Sequence, residues 1–382
     1  MKKQAILRTS GVLCAAAGML ALSGCGTTAS NNATSNHTSA NSSAISSVSA
    51  SKRGSGSTLD IVNSPVTDDF NPFSSSAPTG TFGFLYQPLL VLDSLSGKTY
   101  PMLGTSAVWS NGNQTMTVEL RKGTKWSDGK AFTSADVVFT FDLLKKYPDA
   151  DLNGVWSKLS SVTAKGNDAV VFQFKQPDVP FAYYVEQTPI VPKHIWNSLG
   201  DPTKVKVTNP ISTGPFTLAS FSQQNYTFKA NPNYWGGEVQ VPEIRIDEVE
   251  GNDNAELQLA SGTIDWAGYF IPNVDKVYAS RSPNNKYWFP STAPIVLYPN
   301  LSNPLLSQLP VREAISLAID RQELSTKAED GYVTSASPTG LVLPSQNSWL
   351  DPNLPKQDVS FSYNPKRSIQ ILESNGYPES VT

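Results

Sequence analysis

Residues Met116–Lys146 read MTVELRKGTKWSDGKAFTSADVVFTFDLLKK, and the order of elements in this stretch decides how the rest of the chain is read. Met116, Val118 and Leu120 alternate with Thr117 and Glu119, the period of a strand with one face buried. Lys122-Gly123 breaks that strand, and Asp128-Gly129 supplies a turn pair that tolerates positive φ. Thr133 is placed to cap a helix, with Asp136 three residues on, as in a capping box. Phe132 and Val137 occupy the two positions of a hydrophobic staple. Val137, Val138, Phe141 and Leu144 recur at helical spacing until Pro148 ends the run. The stretch predicts a strand, a tight loop and a capped helix.

Similar signals extend outward on both sides. Trp109–Leu120 predicts a hairpin around Asn111-Gly112, and Val162–Phe174 a second one turning at Gly166-Asn167-Asp168, with Val170, Phe172 and Phe174 on one face. Thr58–Val62 reads as a short strand followed by a loop through Pro72. Asn254–Ala260 predicts a short helix with Gly262 just past its end, and Ile264-Asp265 opens another strand. Pro310 can start a helix whose buried face is predicted as Val311, Ala314, Ile315, Ala318 and Ile319. Asn364-Pro365 opens a last helix running to about Ser374, with Gly376 beyond it.

The amino end has a different texture. Lys2, Lys3 and Arg8 precede an apolar run from Gly11 to Leu22 that is too short to span a bilayer. Leu22-Ser23-Gly24-Cys25 then has the form of a bacterial lipobox, which predicts cleavage before Cys25 and a lipid anchor on it. The chain has 2 Cys, and Cys14 lies in the part that would be removed, so no disulfide is expected. Residues 26–57 are rich in Ser, Thr, Asn, Ala and Gly, which predicts a flexible tether.

The bulk numbers limit the function classes. With 382 residues the chain has room for two or three domains. Lys+Arg 29 against Asp+Glu 32 gives a formal net charge of -3, which argues against nucleic-acid binding. Only 2 His occur, His37 in the tether and His194, and no mature Cys remains to join them at a zinc ion. No nucleophile elbow or phosphate-binding loop is present. No catalytic residue, metal ligand or cofactor is expected. The 10% aromatic content and 28 Pro suggest a loop-rich protein with adhesive concave surfaces.

LRKGTKWSDGKAFTSADVVFTFD resembles the signature of the family 5 extracellular solute-binding proteins, which include oligopeptide-, dipeptide- and nickel-binding components of ABC importers. Ile190–His194 (IVPKH), Ser212–Phe216 (STGPF), Asn231–Gly237 (NPNYWGG), Asn300–Leu324 and Tyr363–Tyr377 resemble further segments of that family in the same order. The resemblance implies an α/β, periplasmic-binding-protein-like fold (cluster C, type II) with an extra inserted domain. Residues 58–86 and 190–297 would form domain I, 87–189 the inserted domain II, and 298–382 domain III. It also implies that domain III is incomplete here, because in the family further strands and helices follow the helix at Pro365. Ligand would be trapped between the first and third domains by hinge closure.

Site residues follow from the resemblance alone. They are Val66, Thr67 and Asp68 in the loop after the first strand, Trp266, Tyr269 and Phe270 after Ile264-Asp265, and Ser291 and Thr292 leading into the third domain. Extended peptides are held largely through backbone hydrogen bonds, which leave little side-chain signature. For Trp266 and Tyr269 a core role is an equal reading. The implied function is a monomeric, extracytoplasmic receptor, anchored in membrane lipid through Cys25, that delivers peptides to an ABC permease. Another solute (a nickel chelate, an oligosaccharide or an opine), a peptide sensor, and a surface carbohydrate-active enzyme or adhesin are the alternatives left open.

Overall fold

A computed structural model describes residues 58–63, 66–290, 295–336 and 362–378. Cys25, the tether, Ser291 and Thr292 lie outside the described residues. The chain divides into two compact units. One contains the described residues up to Leu92 together with Thr99–Tyr269; the other contains Asp93–Lys98 and the described residues from Phe270 onward.

The first unit holds two sheets. The strands in chain order are β1 (Thr58–Asn63), β2 (Leu90–Asp93), β3 (Lys98–Pro101), β4 (Gly104–Ser110), β5 (Thr115–Leu120), β6 (Leu159–Ala164), β7 (Ala169–Phe174), β8 (Phe216–Phe221), β9 (Asn225–Ala230), β10 (Glu243–Glu248) and β11 (Trp266–Ala267). A five-stranded sheet runs β11-β1-β10-β9-β8, a four-stranded sheet runs β4-β5-β7-β6, and β2 and β3 pair as a separate hairpin.

In the five-stranded sheet, β1 pairs parallel with both β10 and β11, whereas β9 is antiparallel to β10 and to β8. β10 and β11 run parallel on either side of β1, and the helix Asn252–Ser261 is the crossover that connects them. Gly262 ends that helix at φ 72°, the left-handed conformation that glycine adopts without a Cβ penalty. The helix begins two residues earlier than its sequence pattern predicts. β1 is apolar in the way a strand covered on both sides must be: Ile61 and Val62 are both buried.

Asp60 breaks that pattern, because it is buried in β1 at 4% exposure. It lies in register with Arg245 of β10, whose Nη2 is 2.8 Å from Asp60 Oδ1. On the other side the Asp60 N–H donates to Asp265 Oδ2 at 2.9 Å, and the Asp265 N–H donates to the Asp60 carbonyl at 2.7 Å. A buried carboxylate needs a partner such as Arg245, since desolvation without one outweighs what the fold gains.

The four-stranded sheet and its helix match the strand, loop and capped helix predicted from the sequence. Met116, Val118 and Leu120 are buried while Glu119 is exposed. Helix Ser134–Lys146 is capped by Thr133, which accepts from the Ala135 N–H, and the Asp136 carboxylate accepts from the Thr133 N–H at 2.9 Å. The other Asp136 oxygen accepts from the Lys193 N–H at 3.0 Å, so one side chain caps the helix and ties it to a segment 57 residues away. Phe141 packs edge-on against Phe172 of β7 with ring centroids 5.0 Å apart. The predicted hairpin turn uses three left-handed residues, Asn111, Gly112 and Asn113, rather than the Asn-Gly pair alone.

In the second unit, helix Leu309–Ala318 packs against helix Pro365–Ser374, which Asn364 caps by accepting from the Arg367 N–H at 3.0 Å. The Asn364 N–H donates to the Leu317 carbonyl and the Ser368 hydroxyl to the Ala314 carbonyl, both at 2.8 Å. This corrects the predicted buried face. Val311, Ala314 and Leu317 are buried, Ile315 and Ile319 only half so, and Ala318 is exposed. The apolar stripe on this helix is wider than the contact it makes.

Arg245→Ala leaves Asp60 in the sheet without its guanidinium. The expected cost is about 2 kcal/mol, below that of a wholly buried pair because Arg245 is itself half exposed. Urea unfolding of parent and variant checks this; an unchanged midpoint would mean that Arg245 does not stabilise Asp60.

Candidate functional site

The three parallel strands β10, β1 and β11 end at one edge of their sheet. Ligands of open α/β sheets bind outside the carboxyl ends of such strands. The residues that leave this edge are those after Asn63, after Glu248 and after Ala267.

The loop after β1 is tightly fastened. Val66 packs on the main core, and the Asp68 carboxylate pairs with Lys206 Nζ at 2.6 Å. Asp69 Oδ1 accepts from the Val207 N–H at 2.9 Å, and Asn71 Nδ2 donates to the carbonyls of Pro202 and Val205, both at 2.8 Å. The Thr67 hydroxyl is buried without a hydrogen-bond partner among the described residues.

At the end of β11, Trp266 is in register with Ile61 and is 38% exposed. Tyr269 packs against a small core of Val62, Val249, Ala255 and Ile264, and its hydroxyl donates to the Val249 carbonyl at 2.6 Å. Burial, with Glu250 and Glu248 nearby, pushes its phenol above the usual tyrosine range. The Tyr269 hydroxyl is thus committed to holding the β10–helix junction.

Of the residues expected from the sequence, Val66, Thr67 and Asp68 come after β1, Trp266 is the first residue of β11, and Tyr269 comes two residues after its end. Phe270 belongs to the other unit, where it packs on Phe289 at 5.4 Å. The segment Val249–Gly251 follows the end of β10 and is not among the residues expected from the sequence. Its signal was present, because alternating Ile244 and Ile246 are followed by a glycine, Gly251 at φ 82°, before a helix.

The motif segments assemble elsewhere in the first unit, against one another. Trp126 is fully buried. The Ser127 N–H donates to the Ser212 carbonyl at 2.8 Å, the Ser212 N–H to the Ser127 hydroxyl at 3.2 Å, and Asn233 Nδ2 to the Ser127 carbonyl at 3.3 Å. Asn231 Nδ2 donates to the Gly214 carbonyl at 2.8 Å. Trp235 Nε1 donates to Gln87 Oε1 at 2.7 Å, and the Arg121 guanidinium lies 3.9 Å from the Trp235 ring centroid. KWSDGK, STGPF and NPNYWGG are therefore one packing junction.

His194 lies beside this junction, with Nε2 2.8 Å from Asp128 Oδ2. Burial pushes the Asp128 carboxyl up, but hydrogen bonds from His194 and the Lys130 N–H outweigh it and leave the group below its ordinary value. No cluster of three or more His, Cys, Asp or Glu able to hold a metal ion occurs among the described residues.

A family profile described as bacterial extracellular solute-binding proteins, family 5 Middle, matches residues 98–382. The oligopeptide-binding protein AppA of Bacillus subtilis (strain 168) is 29% identical over 279 residues, 70% of this chain and 50% of AppA. A crystal structure of a periplasmic oligopeptide-binding protein of an oligopeptide ABC transporter from Thermotoga maritima superposes with a TM-score of 0.75 at 30% identity, covering 84% of this chain and 63% of that one. A second structure of the Thermotoga maritima protein, with mannohexaose bound, superposes with a TM-score of 0.73 at 29% identity, covering 85% and 63%. The chain spans half the length of AppA and under two thirds of the Thermotoga protein.

Gly214 tests the junction. A Cβ there would stand 2.1 Å from the Phe84 carbonyl oxygen and 2.4 Å from that of Leu85, both backbone atoms. Gly214→Ala is expected to cost about 3 kcal/mol or more. Gly129, at φ 85° with open space around it, carries backbone strain only, and Gly129→Ala should cost about 1 kcal/mol. Equal losses in urea unfolding would contradict the close crossing at Gly214.

Proposed function

The chain belongs to family 5 of the bacterial extracellular solute-binding proteins, and on that footing we propose that it captures oligopeptides for an ABC importer. Family 5 is a family of extracytoplasmic receptors rather than enzymes. The observation that carries the peptide reading is the similarity, at 29–30% identity, to oligopeptide-binding proteins from two organisms. The parallel strand ends support it further: a fastened loop at Val66–Asp69 and the exposed Trp266 suit an extended chain held through backbone groups.

In this proposal Val66, Thr67, Asp68, Trp266 and Tyr269 contribute from the sheet edge, and Phe270, Ser291 and Thr292 from the chain that follows. Residues 58–86 with 190–297, 87–189, and 298–382 are the three domains. The protein works as a monomer, is anchored to membrane lipid through Cys25 outside the cytoplasm, and hands its ligand to a membrane permease. Among the described residues no helix is long and apolar enough to cross a membrane.

An oligosaccharide is the second reading, favoured by the mannohexaose held by the Thermotoga maritima protein. Native mass spectrometry of the chain purified from its own cells separates the two. The peptide reading expects co-purified adducts whose fragmentation yields amino-acid residues. Adducts that fragment in hexose steps would replace it with the sugar reading.

A further inference from the structure

Lys206 reaches the strand ends from outside the three loops that leave them. Its Nζ lies 2.6 Å from Asp68 Oδ1, in the loop after β1. The backbone on either side of it is tied to that same loop. The Val207 N–H donates to Asp69 Oδ1 at 2.9 Å, the Phe70 N–H to the Val207 carbonyl at 2.8 Å, and Asn71 Nδ2 to the Val205 carbonyl at 2.8 Å. Lys204, two residues earlier, pairs instead with Asp201 at 3.1 Å, within its own turn. Of the two lysines on this segment, Lys206 is the one joined to the end of β1.

The ion pair is not what fastens the loop. The Lys206 and Asp68 side chains are 59% and 38% exposed, and a pair so open to water contributes little to stability. Asp69, Phe70 and Asn71 do the fastening. The ammonium is also only partly used. It carries three donors, and Asp68 Oδ1 is its one partner among the described residues.

The charges around it are of the other sign. No lysine or arginine occurs in residues 66–73, 249–251 or 268–269, which follow the three strand ends. Asp68 and Asp69 follow β1, and Glu250 follows β10. Glu248, the last residue of β10, is in register with Asn63, the last residue of β1. Glu248 and Glu250 both act on the Tyr269 phenol, which places them close to the end of β11. An anionic group of a ligand is repelled by these carboxylates and attracted by Lys206.

We propose that Lys206 binds the terminal carboxylate of an oligopeptide held at the strand ends. Asp68 keeps the ammonium at the loop before a ligand arrives, so less ordering cost remains to be met on binding. The terminal carboxylate is an anion that every oligopeptide carries, whatever its side chains, and it suits a receptor that reads backbone. The proposal rests on the peptide-receptor reading and adds a direction to it: the carboxyl end of the ligand lies at the loop after β1.

Calorimetry on the full chain tests it with three pentapeptides: all alanine with a free carboxyl end, the same peptide amidated at that end, and an amidated one with a central glutamate. The parent is expected to bind the free acid roughly tenfold more tightly than the alanine amide. Lys206→Met should bind those two equally, at the level of the amide, with its melting temperature nearly unchanged because Asp68 is left to water. Lys206→Arg should keep the preference. If the parent binds free acid and amide alike, or if Lys206→Met keeps the preference, the proposal fails while the receptor reading stands. If Lys206→Met melts lower and loses all three peptides, Lys206 is a structural residue and the proposal fails. If the parent prefers only the glutamate peptide, and Lys206→Met abolishes that preference, Lys206 reads an acidic side chain and the terminal assignment is overturned. If the parent binds none of the three, the receptor reading and the proposal fall together.

Discussion

The pairing of β1 between β10 and β11 is the constraint on which the rest of the first unit depends. Six residues, Thr58–Asn63, bring together parts of the chain about two hundred positions apart. The gap between β1 and β10 must close with the correct register, because a slip of one residue would turn Ile244 and Ile246 of β10 off their buried face and part Asp60 from Arg245. Loop closure over such a distance costs entropy, although that cost grows slowly with length. The returns come from Ile61, Val62, Ile244 and Ile246, and from Asp60, whose carboxylate meets Arg245 on one side and whose N–H donates to the Asp265 carboxylate on the other. Register by register, this pairing sets the three strand ends side by side.

A second consequence concerns the motif segments. Their hydrogen bonds run mostly to one another's backbones: Ser127 to Ser212, Asn233 to Ser127, Asn231 to Gly214. Gly214 lets two chain segments cross at a distance no side chain would permit. These are tools for joining the four-stranded sheet to the five-stranded one.

The legibility of the sequence followed the range of the interactions. The hairpin at Asn111-Gly112, the Thr133 cap and the Asn364 cap depend on residues within four positions of one another, and their residue types announce them. The hydrogen bond from the Lys193 N–H to Asp136 spans 57 residues, and nothing in the local pattern separates a capping carboxylate from one with a second partner. The buried face of the 309–318 helix was misjudged for a similar reason. Periodicity marks a stripe, but the neighbouring helix at 365–374 decides how much of it is covered. At the strand ends, the resemblance pointed to Val66–Asp68 and Trp266, while the β10 end carries only the alternation of Ile244 and Ile246 and the glycine that follows, Gly251.

Backbone hydrogen–deuterium exchange on the full chain, with and without a random pentapeptide mixture, tests the central claim that ligand is held at the strand ends while the motif junction is scaffold. The account predicts added protection at 66–69, 249–251 and 266–269, with 126–130, 212–216 and 231–237 unchanged. Protection centred on the motif segments, with none at the strand ends, would contradict it.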